Sequence, residues 1–197
     1  MLFASKINTP VILLLLSVLL SSCPAPAPPD VSTLKERPRP RIRIPELEKK
    51  IHMLINRERT RSGVSALAWD DKLAGIAQRH SRDMSLRNYF SHDSPEGRDL
   101  SDRYRQAGYS CAVRQGNVIH TGAENIALNN LYDRVTTVSG KKYFDWNSVE
   151  RIAETTVEGW MQSSGHRKNI LTPHWRREGI GVFIGPDDKV YITQNFC

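Results

Sequence analysis

From Leu47 to Met161 the apolar residues recur at helical spacing in four separate stretches, and only after Gly179 does the period shorten to that of strands. Leu47, Ile51, Leu54 and Ile55 form the first stripe, with Glu46, Lys49, Arg57 and Arg59 largely off it, Pro45 suited to a first turn and Ser62-Gly63 as the stop. The second runs from Asp70 to Arg87 through Leu73, Ile76, Ala77, His80 and Met84, which turns His80 toward the core. A short third helix is expected over Asp99 to Ala107, ended by Gly108. The fourth carries Val149, Ile152, Ala153, Thr156, Val157, Trp160 and Met161, with Asn147 and Glu150 reading as its N-cap pair. Gly179–Ile184 and Lys189–Phe196, joined by Gly185-Pro186-Asp187-Asp188, read as a terminal hairpin. Helices followed by an antiparallel hairpin, without β-α alternation, predict an α+β fold and argue against a parallel doubly wound sheet. Residues 129–146 fit neither period and read as a surface insertion.

The start of the chain reads as an address. Val11 to Leu20 is an apolar run too short for the roughly 20 residues that span a bilayer, and with Lys6 before it residues 1–22 read as a signal peptide. Leu20-Ser21-Ser22-Cys23 resembles the lipobox of bacterial lipoproteins, which makes Cys23 the lipidated N-terminus of the mature chain. Residues 23–46 hold seven of the eleven prolines; such a segment favours extended polyproline II and would act as a tether of up to about 70 Å. The expected folded domain is 47–197. With Cys23 assigned to lipid, Cys111 and Cys197 remain, and in an oxidising compartment a disulfide between them is the economical reading over metal or redox chemistry.

The formal net charge is +7, of which about +4 falls to the folded part. That mild basicity suits an anionic envelope surface, and without interleaved basic and aromatic residues it gives no reason to expect nucleic acid as a partner. No Walker loop, GxGxxG, HExxH, CxxC or GxSxG string occurs, which leaves nucleotide, zincin and α/β-hydrolase readings without support.

Three polar strings lie at element ends: Tyr89-Phe90-Ser91-His92, Gly122-Ala123-Glu124-Asn125-Ile126 and Ser164-Gly165-His166-Arg167-Lys168-Asn169-Ile170-Leu171. Together with Leu67-Ala68-Trp69-Asp70, His80-Ser81-Arg82-Asp83-Met84, Gly179-Ile180-Gly181-Val182 and Thr193-Gln194-Asn195-Phe196 they resemble the CAP superfamily (cysteine-rich secretory proteins, antigen 5, pathogenesis-related 1; SCP-like extracellular proteins), in its bacterial branch. The resemblance implies an α-β-α sandwich, a small antiparallel sheet between helical layers, with a cleft lined by two histidines and two acids. His92 and His166 match the histidines and Glu124 one acid; for the other, Glu158 precedes Trp160 where the family's acid follows the tryptophan.

Two neutral imidazoles beside a carboxylate suit Zn²⁺ or another divalent cation, with Glu124 as candidate base; the alternative is that both histidines only fix loops by hydrogen bonds. His80 reads as a core histidine, His120 and His174 as loop residues. The expected function is a membrane-anchored, extracytoplasmic binding module of the bacterial envelope for a lipid or cell-wall polymer. A metal-assisted hydrolase acting on envelope peptide or glycan and a structural scaffold are the rivals.

Overall fold

The structure, a computed structural model, describes residues 37–197; the apolar run, Cys23 and the prolines before Arg37 lie outside the described residues. Its elements are α1 (Ile44–Arg61), β1 (Ala68–Trp69), α2 (Asp71–Leu86), α3 (Leu100–Gln106), β2 (Val113–Gln115), β3 (Val118–His120), β4 (Ala123–Asn130), β5 (Tyr132–Val138), β6 (Lys141–Trp146), α4 (Val149–Gln162), α5 (Ser164–Leu171), β7 (Arg177–Ile184) and β8 (Lys189–Phe196).

The main sheet has the order β1-β7-β8-β4, with β8 antiparallel to both neighbours and β1 parallel to β7. Strand pleating then sorts the layers, because successive side chains point to opposite faces. Ile180, Val182, Val190, Ile192 and Phe196 join Leu47, Ile51, Ile55, Ile152, Val157 and Trp160 in one core, under α1 and α4. The opposite face carries α2, and there β7 presents Gly179 and Gly181. A Cβ on Gly179 would fall 2.0 Å from the Ala74 nitrogen, and one on Gly181 1.9 Å from that of Gln78. The two glycines therefore let helix backbone lie directly on strand backbone, and Ser81 Oγ donates to Gly181 O across the contact (2.8 Å). The result is the expected α-β-α sandwich.

Local chemistry explains the boundaries. Asp70 caps α2 by accepting from Lys72 N and Leu73 N, and Asp99 with Asp102 forms a capping box on α3. At α4 the cap is Ser148, accepting from Arg151 N, rather than the expected Asn147, which donates instead to Asn130 O. Packed residues reach back to Arg37, not Leu47: Trp146 Nε1 donates to Arg37 O (2.9 Å), Arg39 pairs with Asp188, and Ile42 and Ile44 pack on the core. The segment 129–146 is the end of β4 followed by the β5-β6 hairpin, with Leu131 fully buried at its base.

Arg59, placed off the stripe in the sequence, is fully buried. It donates to the carbonyls of Ser65, Ile170, Thr172 and Trp175, which ties α1 to the end of α5 and the chain after it. Cys111 and Cys197 form the expected disulfide, with Cα atoms 5.6 Å apart. No helix among the described residues is long and apolar enough to cross a membrane.

Candidate functional site

β4 is an edge strand, so its consecutive residues Glu124 and Asn125 face opposite layers of the sandwich. Glu124 turns toward α2 and α3 and is buried. Its Oε1 accepts from His92 Nδ1 (3.0 Å), and its Oε2 accepts from Arg103 Nη2 (2.7 Å). His80 Nε2, the histidine from the core face of α2, donates to Ser91 O (3.0 Å) and lies 3.8 Å from Glu124 Oε1. Arg103 Nη1 also donates to His92 O, so one guanidinium fixes both the acid and the loop that carries His92.

Asn125, on the other face, positions α5. Its Nδ2 donates to His166 O (3.3 Å) and Gln194 Oε1 (3.0 Å), while Asn169 Nδ2 donates to Asn125 Oδ1 (2.9 Å) and Glu124 O (3.1 Å). His92 and His166 thus arrive from opposite layers at the edge of β4, near enough for the charge of His92 to act on His166. The hydrogen bond to Glu124 raises the His92 pKa, whereas burial lowers that of His80, and burial together with the charge of a protonated His92 lowers that of His166.

Of the residues expected from sequence, His92 and Glu124 are bonded directly, and His166 lies where the charge of His92 reaches it. Glu158 is not part of the site: it lies in the groove between α1 and α4, with Arg57 and Arg61. Among the described residues no second carboxylate comes within ion-pairing distance of His92 or His166. Nor is any group of three or more His, Cys, Asp or Glu side chains among them placed to hold a metal ion. Both carboxylate oxygens of Glu124 already have partners, so it offers no free third ligand beside the two imidazoles. His120 and His174 stack on each other, ring centroids 3.8 Å apart, beside Trp175 and away from this cluster.

Sequence reasoning missed Arg103, Asn125 as an anchor, and a second buried acid. Glu178 on β7 is fully buried; it accepts from His52 Nδ1 (2.5 Å) and from Gln194 Nε2 (2.5 Å), and His52 in turn accepts from Asn56 Nδ2 (3.2 Å). A hydrogen-bonded lane therefore runs from Asn169 through Asn125, Gln194 and Glu178 to His52. In the sequence Glu178 sits one residue before a strand-like run and His52 on an apolar helix, with no local signal that they meet.

Comparison with known proteins places this architecture. The family model described as "CAP: Cysteine-rich secretory protein family" matches residues 52–196, most of the chain and every residue of the site. The chain belongs to the CAP family. Similar relatives in Bacillus subtilis are the uncharacterized membrane protein YlbC, 35% identical over 150 residues, and the uncharacterized protein YkwD, 33% identical over 134. The matches cover 76% and 68% of this chain but only 34% and 41% of those relatives, so the chain spans less than half the length of either. Among solved structures, an extracellular protein containing an SCP domain from Bacillus anthracis is 33% identical with a TM-score of 0.57, over 78% of this chain and 40% of that one.

Proposed function

We propose that the chain is an exported, lipid-anchored binding module of the bacterial envelope, whose cleft between His92 and His166 holds a polar group of a cell-wall polymer or lipid. The observation that carries this reading is the state of Glu124. A general base needs a carboxylate lone pair within reach of water or substrate, and this carboxylate is buried with one oxygen on His92 and the other on Arg103. It is an anchor. His92 spends Nδ1 on that anchor and keeps Nε2 for the cleft, and its side chain remains about half exposed. Export is supported by the signal-like run, by the Cys23 string, and by the disulfide, which belongs in oxidising compartments. The relatives described as a membrane protein and an extracellular protein point the same way.

Purified peptidoglycan sacculi are the probe. The full chain should co-sediment with them, and His166→Ala should weaken that retention without releasing soluble fragments from the sacculi. Turnover of sacculi or peptide pools that is lost in Glu124→Ala, together with stoichiometric Zn²⁺ uptake lost in His92→Ala and His166→Ala, would replace this reading with the metal-assisted hydrolase.

A further inference from the structure

A cleft of about 370 Å³ opens between α2, the loop before α3 and α3 itself. It shares His80 and Arg103 with the site above, but its walls include neither His92, Glu124 nor His166. Three guanidinium groups line it, those of Arg79, Arg98 and Arg103, against the single carboxylate of Asp83. Asp83 is already engaged: Tyr89 Oη donates to its Oδ2 (2.6 Å), and Arg87 Nη1 lies 3.5 Å from the same oxygen. Arg98 is held only by the exposed Glu96 (3.2 Å), and Arg79 has no hydrogen bond or ion pair among the described residues. Arg103 commits both terminal nitrogens to His92 O and Glu124, yet its Nε is buried without any acceptor.

A buried donor without an acceptor is rare in folded proteins and asks for a partner. Guanidinium forks match the oxygens of phosphate in spacing and plane, and with Arg103 on Glu124, Arg98 on Glu96 and Asp83 engaged by Arg87, the guanidinium of Arg79 is left without a counter-charge, which suits an anion. We propose that this cleft binds a phosphoryl group, with Arg79 and Arg98 holding its outer oxygens and Arg103 Nε supplying the inner donor. The volume leaves room for the body that carries the phosphate. The site borders the His92–Glu124 cluster through His80 and Arg103, but the proposal does not depend on the function proposed for that cluster.

Calorimetry on the full chain in detergent, with glycerol 3-phosphate as one probe and dihexanoylphosphatidylglycerol below its micellar concentration as the other, separates a free monoester from a lipid headgroup. At least one should bind, and Arg79→Gln and Arg98→Gln should each weaken it by about tenfold or more, the loss of one charge-assisted contact. Arg105→Gln removes the same charge from α3 at a residue paired with Asp102 outside the cleft, and should leave affinity within about twofold. Binding of neither probe, or equal weakening in all three variants, would overturn the assignment. Retention of glycerol 3-phosphate by a His166→Ala chain that has lost sacculi would show the two clefts to be separate.

Discussion

Glu124 is the residue on which the site turns, because it is the one buried carboxylate that three other groups face: His92, Arg103 and His80. Glu124→Gln leaves the Arg103 guanidinium largely buried without its counter-charge, and should lower stability by roughly 3 kcal/mol in denaturant unfolding. The same substitution removes the charge that raises His92 and leaves only a neutral acceptor for its Nδ1, so its imidazole should titrate at lower pH in an NMR titration. His80 and His92 then pull stability in opposite directions with pH. The folded pKa of His80 is depressed by burial, so its contribution is complete above the unfolded value near 6.5 and is lost as pH falls below it. That of His92 is raised, so its contribution is present below 6.5 and is lost as pH rises through the folded value. His80→Gln can keep a donor for Ser91 O but cannot protonate. Its unfolding free energy should decline less between pH 6.5 and 5 than that of the parent chain, and an unchanged slope would assign the acid sensitivity elsewhere. In the sequence, His92, Glu124 and His166 were legible as chemistry because they stand in recognisable strings. Arg103 was not, since one arginine of two on a short polar helix carries no mark of which will be buried.

Among the elements, the contact of α2 with β7 is the least forgiving. Gly181→Ala would drive a methyl group into the backbone of Gln78, where no side chain can rotate aside. Overpacking costs about 1–3 kcal/mol where neighbours can shift, and here the neighbour is a helix. The variant should lose at least about 3 kcal/mol or fail to fold, while Gly63→Ala, at a positive φ in an open turn, should cost only about 1 kcal/mol of backbone strain. The helices were legible because their apolar stripes are long and periodic. α5 and β4 were not, for a physical reason: Ser164–Leu171 spans eight residues with only Ile170 fully buried, and Ala123–Asn130 is half polar because its inward side chains bond to histidine, arginine and asparagine. Elements that build a polar site lack the apolar period that announces an element. The same applied to 129–146, whose hairpin packs Tyr132, Phe144 and Trp146 on one another, with Trp146 of the three also reaching the core.

At the scale of the whole molecule, the proposed lipid anchor makes Cys23 the residue to test for location. Cys23→Ala should move the protein from the membrane fraction to the soluble extracytoplasmic one, because two or three acyl chains give stable anchoring whereas none of the described helices can replace them. Fractionation that is unchanged in the variant would remove the lipid anchor from the proposed function. The strap from Arg37 to Arg43 is itself fastened to Trp146, Asp188 and the core.

The order of strands has one more effect, on the birth of the protein. β8 pairs with β7 on one side and with β4 on the other, yet it is the final strand of the domain. A nascent chain emerging from its N-terminus can form α1 and α2 early, but β4 and β7 are not joined until β8 follows them, and the partner of Cys111 comes directly after β8. Sheet closure and the cross-link thus fall to the same stretch of chain.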